Sequence, residues 1–284
     1  MKTAGTAANH KLELAQDAFQ KGFNLVTDIS SLSTIANKLD SLAPEFLSIA
    51  YEGASMNIAL NCLETGAELK PWFDFLQSAA KQHSIQYYIG LGWALAQLQL
   101  NAMPYMQRLG PIDRYRVMDG YGYYEAIFRT KRTIHKQQKL EEFNEAGSSA
   151  YYQGIGRGIW YLSLGKKEEA KTMIDKFPAE MLTDLWRGLG IACSYAGGCD
   201  EPALKEMMIL AGDYSRQLAT GAVMVAICRE NAAFMSTDTE LACKIWCKQS
   251  AAKLATEHKP DDINLKANEE TSYLNWIWGI ESSF

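Results

Sequence analysis

Strand signals, metal-ligand clusters and long apolar runs are all missing from this chain. Proline is scarce, 7 in 284 residues, and no polar–apolar alternation is bounded by hairpin turns. A sandwich or barrel of strands is therefore disfavoured and helix is expected. No apolar stretch reaches the roughly 20 residues needed to span a bilayer. The longest, 89–100 and 218–228, are interrupted by Gly, Gln or Thr. The first 22 residues hold no apolar signal core, so a cytoplasmic protein is expected. Basic charge is in deficit, with 28 Lys and Arg against 33 Asp and Glu. Without a cationic excess to neutralise phosphates, nucleic acid is not an expected partner.

Chemistry-bearing clusters are equally sparse. The four histidines, 10, 83, 135 and 258, have no neighbour at metal-ligand spacing. The six cysteines form no CxxC pair; Cys243 and Cys247, four apart on one helix face, are read as buried free thiols. No DDxxD motif is present, and Asp261-Asp262 stands alone near a proline. The DxDD, GxSxG and Walker A patterns are absent too. Gly120-Tyr121-Gly122 and Gly154-Ile155-Gly156-Arg157-Gly158 look like dinucleotide loops but follow no strand. No metal and no cofactor is expected.

What the chain does have is a repeat. Six segments share a polar or bulky residue, then Gly, then usually a second small residue, then an apolar run. Their anchoring glycines are 53, 90, 120, 154, 188 and 221, spaced by 37, 30, 34, 34 and 33 residues. About 34 residues accommodates two helices and two turns. Each unit therefore reads as one apolar inner helix and one amphipathic outer helix, such as 71–81, 165–176 and 201–210. Further helices are expected at 12–26, 31–42, 241–256 and 264–280. Pro44, Pro71, Pro111, Pro178 and Pro202 fall at expected helix starts. Gly inside a helix costs about 1 kcal/mol relative to Ala, so its recurrence points to close backbone approach or to ligand space. The hydrophobic share, 48%, suits one core. The expectation is a single all-α domain over 1–284, an α/α barrel (toroid) of about six helical hairpins. An open solenoid is the competing architecture.

In such a ring, equivalent positions lie at one level. Just before the glycines stand Glu52, Ile89, Asp119, Gln153, Arg187 and Thr220, and one step earlier Tyr51, Tyr88, Met118, Tyr152, Trp186 and Ala219. Trp93, Tyr121, Tyr123, Tyr124, Phe128, Trp160, Tyr161 and Tyr195 lie farther along. Aromatic walls with isolated polar groups are the form of a small-molecule site, although any one of these rings could be ordinary core. Asp119, in VMDGYGYYEAIF, is expected to be a carboxyl in dry surroundings, its pKa raised so that it stays a neutral acid; a helix N-cap is the plainer alternative. Arg157 and Arg187 could bind a substrate carboxylate or serve internal ion pairs. Asp113, beside Arg114 and Arg116, reads as an ionised surface group.

The segments FQKGFN (19–24), AYEGASM (50–56), GLGWALAQL (90–98), LGPIDRYRVMDGYGYYEAIF (109–128), QGIGRGIWYL (153–162) and DLWRGLGIACSYAGG (184–198) carry a resemblance. Over roughly residues 19–247 the chain resembles a bacterial family long catalogued as a domain of unknown function, many of whose members lie in enediyne biosynthetic clusters. A cyanobacterial branch of that family contains single-domain class II terpene cyclases. The resemblance implies a metal-independent α/α-barrel cyclase that folds a polyprenylated hydroxybenzoate into fused rings. Its partner would be that small molecule, with at most transient membrane contact for uptake. Asp119 would be the general acid. Tyr51, Tyr88, Trp93, Tyr121, Tyr124, Trp160, Trp186 and Trp246 would line the substrate path and face its transient cations. Arg157 or Arg187 would hold the aryl carboxylate, and Glu52 or a water would take the final proton. Where the family often reads LDPLLRW, this chain has Leu109-Gly110-Pro111-Ile112-Asp113-Arg114-Tyr115, which leaves Asp113 without a role. A helical-repeat binding or carrier protein without catalysis is the alternative.

Overall fold

The computed structural model describes residues 4–29, 32–66, 68–138, 143–260 and 269–284. Among them every regular element is helical. In chain order they are α1 (Ala4–Leu25), α2 (Leu32–Asp40), α3 (Leu47–Glu64), α4 (Lys70–Gln77), α5 (Ser84–Gln97), α6 (Met103–Met106) and α7 (Asp113–Phe128). There follow α8 (Glu145–Leu162), α9 (Lys167–Ile174), α10 (Ala179–Ala196), α11 (Glu201–Ala211), α12 (Ser215–Asn231), α13 (Thr237–Trp246), α14 (Ala251–Glu257) and α15 (Glu269–Glu281). The fold is all-α, as expected. Prolines mark starts: Pro71 and Pro202 sit in the first turns of α4 and α11, and Pro178 caps α10. The side chains of Asn144, Asp200 and Ser236 accept N-terminal backbone N–H groups of α8, α11 and α13.

Two boundaries differ from expectation. The single helix expected over 241–256 is broken after Trp246, where Lys248 adopts φ 58° and Ser250 caps the new helix α14. A residue in the left-handed region cannot continue an α-helix. At the other end of the chain, α1 begins at Ala4 rather than near Leu12. The first residues of the helix expected at 264–280 lie outside the described residues.

The repeat is physical. Each glycine pair knits one inner helix to both neighbours. A Cβ built on Gly120 would overlap the carbonyl oxygen of Ile89 in α5, and one on Gly122 that of Tyr151 in α8. The same alternation runs from Gly53 to Gly221. Only glycine lets two helix backbones touch in this way. One further member had no G-x-G signature: Gly22 of α1 meets the Ala50 carbonyl, so α1 joins the row, making seven close-packed inner helices where six were expected. At the α3–α5 junction Ser55 takes the second glycine's place and donates to Tyr87 O.

Inner helices run parallel. Side-chain bonds between neighbours join residues 33 to 35 apart at several levels, such as Asn57 with Phe23, Ser149 with Asp184 and Arg229 with Tyr195. The row also curls. Arg229 near the end of α12 donates to Glu45 O ahead of α3, and Asn231 to Gln82 O ahead of α5. Phe46, Ile191, Tyr195, Val225 and Cys228 form an apolar cluster joining the two ends. The remaining helices cover the row, and α15 sends Tyr273 and Trp276 inward. No helix among the described residues is long and apolar enough to cross a membrane.

Candidate functional site

Because the inner helices are parallel and glycine-locked, residues just ahead of their first glycines come to one level. Three of them bond directly. Gln153 of α8 donates its amide to Asp119 Oδ2 in α7, and Arg187 Nε of α10 donates to Gln153 Oε1 at 2.6 Å. Arg157, one turn beyond Gln153, donates to the other oxygen, Asp119 Oδ1. Arg187 also donates to Ser149 Oγ at 2.8 Å and to Asp184. Nearly all of this network is buried. A buried ion pair is tolerable only when its hydrogen bonds are made, and here both carboxylate oxygens of Asp119 are met by donors.

This corrects the expectation for Asp119. It is neither an N-cap nor an unpaired acid: it sits mid-helix as the acceptor of an ion pair. Arg187 bonds internal partners through both Nε and Nη2, whereas Arg157 bonds Asp119 through Nη1 and borders both interior spaces. Burial works against the charge on Arg157, but Asp119 and Glu52 outweigh it and raise its pKa.

Glu52 stands apart. It is 1% exposed, and its Oε2 has no hydrogen-bond partner in the protein. Burial pushes its pKa up to about 7; Asp119 pushes the same way, while Arg157 and the nearby Trp93 indole oppose it. The Trp93 N–H leans toward the carboxyl without closing a well-formed hydrogen bond.

Glu52 faces a cavity of about 270 Å³ between α1, α3, α5, α7, α8 and α10. Phe19, Trp93, Tyr123, Phe128, Tyr161 and Tyr195 contribute rings to its wall. Trp93 is the hub, with ring centroids 5.0 Å from Phe19, 4.9 Å from Tyr123 and 6.0 Å from Phe128. Gln16 and Gln20 also line it, and Phe128 is 63% exposed. On the other side of Arg157 lies a smaller space of about 40 Å³, bordered by Asp119, Cys228, Tyr273 and Trp276. Arg157 and Tyr195 border both spaces. The Arg157–Asp119 pair therefore forms a polar partition across the interior.

The structure scatters the other expected wall residues. Trp93 lines the cavity, and Tyr124 packs against it at 5.8 Å. Tyr51 points the other way: it donates to Asp40 at 2.7 Å and stacks on His83 at 4.3 Å. Tyr88 borders a surface groove near Arg108. Tyr121 faces Tyr151. Trp160 and Trp186 are core residues, and Trp246 bonds Leu204 O at 2.9 Å in the outer layer. The reason is helical rotation. A residue one position before an inward-facing one is turned about 100° away, so Tyr51, Tyr88 and Trp186 cannot share the direction of Glu52, Ile89 and Arg187. Tyr123, Phe128, Tyr161 and Tyr195 were among the aromatic walls expected from the repeat, though not among the residues that the resemblance assigned to the substrate path; Phe19 was not named. Tyr123 lies four residues past Asp119 and Tyr195 lies eight past Arg187, so helical periodicity places both on the inward face.

Cys243 and Cys247 are buried, their thiols directed at the carbonyls of Ala222 and Ala219. Among the described residues no three His, Cys, Asp or Glu side chains converge as a metal-binding group.

No curated protein and no solved structure matches the chain. A family model does, across residues 1–284: the chain belongs to the family described as protein of unknown function DUF1702.

Proposed function

We propose that the chain is a protonation-initiated cyclase of the class II type, acting on a hydroxybenzoate that carries a prenyl chain, within an α/α barrel formed by the curled row. One observation carries this reading: Glu52, with a pKa near 7 and an unpartnered Oε2, faces an aromatic-walled cavity. Protonating a chain of unactivated carbon needs a neutral acid kept from water, and π faces near the cation that follows. Each cation–π contact contributes about 0.5–2 kcal/mol, so the rings around Trp93 act as a set.

In this reading Glu52 replaces Asp119 as the proton donor. Asp119 serves instead as the fixed counter-ion of Arg157, and its negative charge helps keep Glu52 protonated. Donation leaves Glu52 as a carboxylate beside Arg157, which stabilises it. The same carboxylate can then take back the terminal proton, so the reaction is an isomerisation with no net proton change. The half-open cavity's volume, about 270 Å³, lies just under the range of roughly 300–1,000 Å³ typical of ligand sites. The cavity thus encloses the reacting end of the chain and leaves the aryl head at the mouth, beside Gln16 and Gln20.

Incubating the protein with geranyl- and farnesyl-hydroxybenzoate and analysing extracts by mass spectrometry and NMR tests the proposal. An isomeric product with fewer double bonds is expected. Recovery of bound but unchanged ligand, from these probes and from oxidised forms of the same chains alike, would instead make the chain a carrier.

A further inference from the structure

Three hydrogen-bonding side-chain atoms on the cavity wall are buried without a well-formed hydrogen bond in the protein: Glu52 Oε2, Trp93 Nε1, which leans toward the Glu52 carboxyl, and Tyr195 Oη, which lies near Ser48. Their residues are 1%, 7% and 7% exposed. They come from three different helices, α3, α5 and α10. Glu52 and Tyr195 are close enough that the Glu52 charge acts on the Tyr195 phenol. Tyr195 is also fixed in place, because the Arg229 guanidinium lies 3.9 Å over its ring while donating to its carbonyl at 2.9 Å.

A pure hydrocarbon would be a poor occupant of this wall. A buried donor left unpaired costs about 1–3 kcal/mol, and an alkene carbon gives an indole N–H or a phenol O–H only a weak π contact. A single oxygen would satisfy two of them at a time. Of its two lone pairs, one could accept from the protonated Glu52 carboxyl and the other from the Trp93 N–H or the Tyr195 O–H.

We propose that the ligand end buried at Glu52 carries an oxygen acceptor, and that the substrate class is a prenyl chain with a terminal epoxide rather than a terminal alkene. This rests on the cyclase reading above. In the opening step the Glu52 proton passes to the epoxide oxygen. One C–O bond breaks as the next double bond supplies its π pair to the carbon released, forming a C–C bond. The oxygen remains on the product as a hydroxyl, the positive charge moves to the next carbon, and Glu52 is left as a carboxylate. Loss of a proton at the end of the cascade restores the balance, so neither oxidant nor reductant is consumed. The class of reaction that must supply the substrate is an alkene epoxidation.

The test compares two synthetic probes with the same aryl head and chain, one ending in an alkene and one in an epoxide. Affinity is measured by calorimetry and turnover by mass spectrometry, for wild type, Trp93→Phe and Tyr195→Phe. Both variants keep a ring and lose only the donor, and circular dichroism checks their fold. The epoxide should bind about tenfold tighter than the alkene in wild type, as two neutral hydrogen bonds imply, and each variant should lose several-fold of that preference. Equal affinities, or a preference that survives both substitutions, overturn the inference, and the three groups are then served by water. If the alkene binds equally and is cyclised, the epoxide assignment falls while the cyclase reading stands. If the epoxide binds tighter yet neither probe reacts, the oxygen site stands as a binding site and the cyclase reading falls.

Discussion

Asp119 and Glu52 hold the same place in the repeat, one residue ahead of an inner-helix glycine, and the interior treats them oppositely. On the wall formed by α7, α8 and α10 the equivalent positions carry a carboxylate, an amide and a guanidinium, and these bond to one another across adjacent helices. On the wall formed by α3 and α5 they carry Glu52 and Ile89. Isoleucine offers nothing to bond, so Glu52 keeps an open oxygen and an elevated pKa. One backbone position thus yields a structural ion pair where its neighbours are polar and an unpaired acid where its neighbour is apolar.

The sharpest way to break the comparison is Glu52→Gln. It keeps size and burial but removes the proton, so cyclisation should fall by about 10²–10⁴-fold with the fold intact by circular dichroism. On the proposed mechanism the acid form is the active one, so the rate should decline as pH rises through about 7.

Asp119→Asn tests the other wall. Arg157 would lose its counter-ion, at a cost of about 3 kcal/mol, seen as a lowered Tm. Glu52 would then become the anion nearest Arg157. Because Asp119 raises the Glu52 pKa, its removal should also shift the rate-limiting ionisation to lower pH. An unmoved pH profile would mean that the two carboxyls do not communicate.

A third prediction concerns stability alone. The folded pKa of Glu52, about 7, lies above the ordinary value of 4.5. The native state therefore holds a proton that the unfolded chain has released between those values, and stability falls as pH rises through that window. By pH 8 the cost should reach about 3 kcal/mol. Glu52→Gln should thus be more stable than wild type at pH 8 and similar to it near pH 4. Equal melting curves at both pH values would show that Glu52 ionises normally.

Gly279→Ala gives the smallest expected effect and serves as a control for the packing argument. Nothing lies within 4 Å of a Cβ there, so helix propensity should add about 0.5–1 kcal/mol of stability. Gly120→Ala, where the new methyl meets the Ile89 backbone, should instead lose several kcal/mol, read from the same thermal scans.

Much of this arrangement was legible in the sequence because close backbone contact tolerates only one residue type. The spacing of Gly53 through Gly221 exposed six inner helices and the level at which their polar residues meet. Gly22 escaped because Asn24 stands where most units carry a second small residue. Two further features were hidden for different reasons. The break after Trp246 depends on a single left-handed residue, Lys248, and lysine carries no signal for that conformation. The Asp119–Arg157 pair joins residues 38 apart, and sequence proximity favoured no particular partner. Which of the buried acids stays unpaired depended on neighbours supplied by other helices.

The glycine contacts fix backbone against backbone, so the helices hold their spacing whatever side chain stands one residue earlier. That separates scaffold from inscription. Carboxyl, amide, guanidinium, hydroxyl and methyl groups already occupy the same slot in different units of this one chain. An exchange at Ile89 would change the chemistry of the space beside Arg157 while leaving the frame in register. The row of slots is in effect a keypad, on which one or two substitutions rewrite the interior's chemistry without touching its frame.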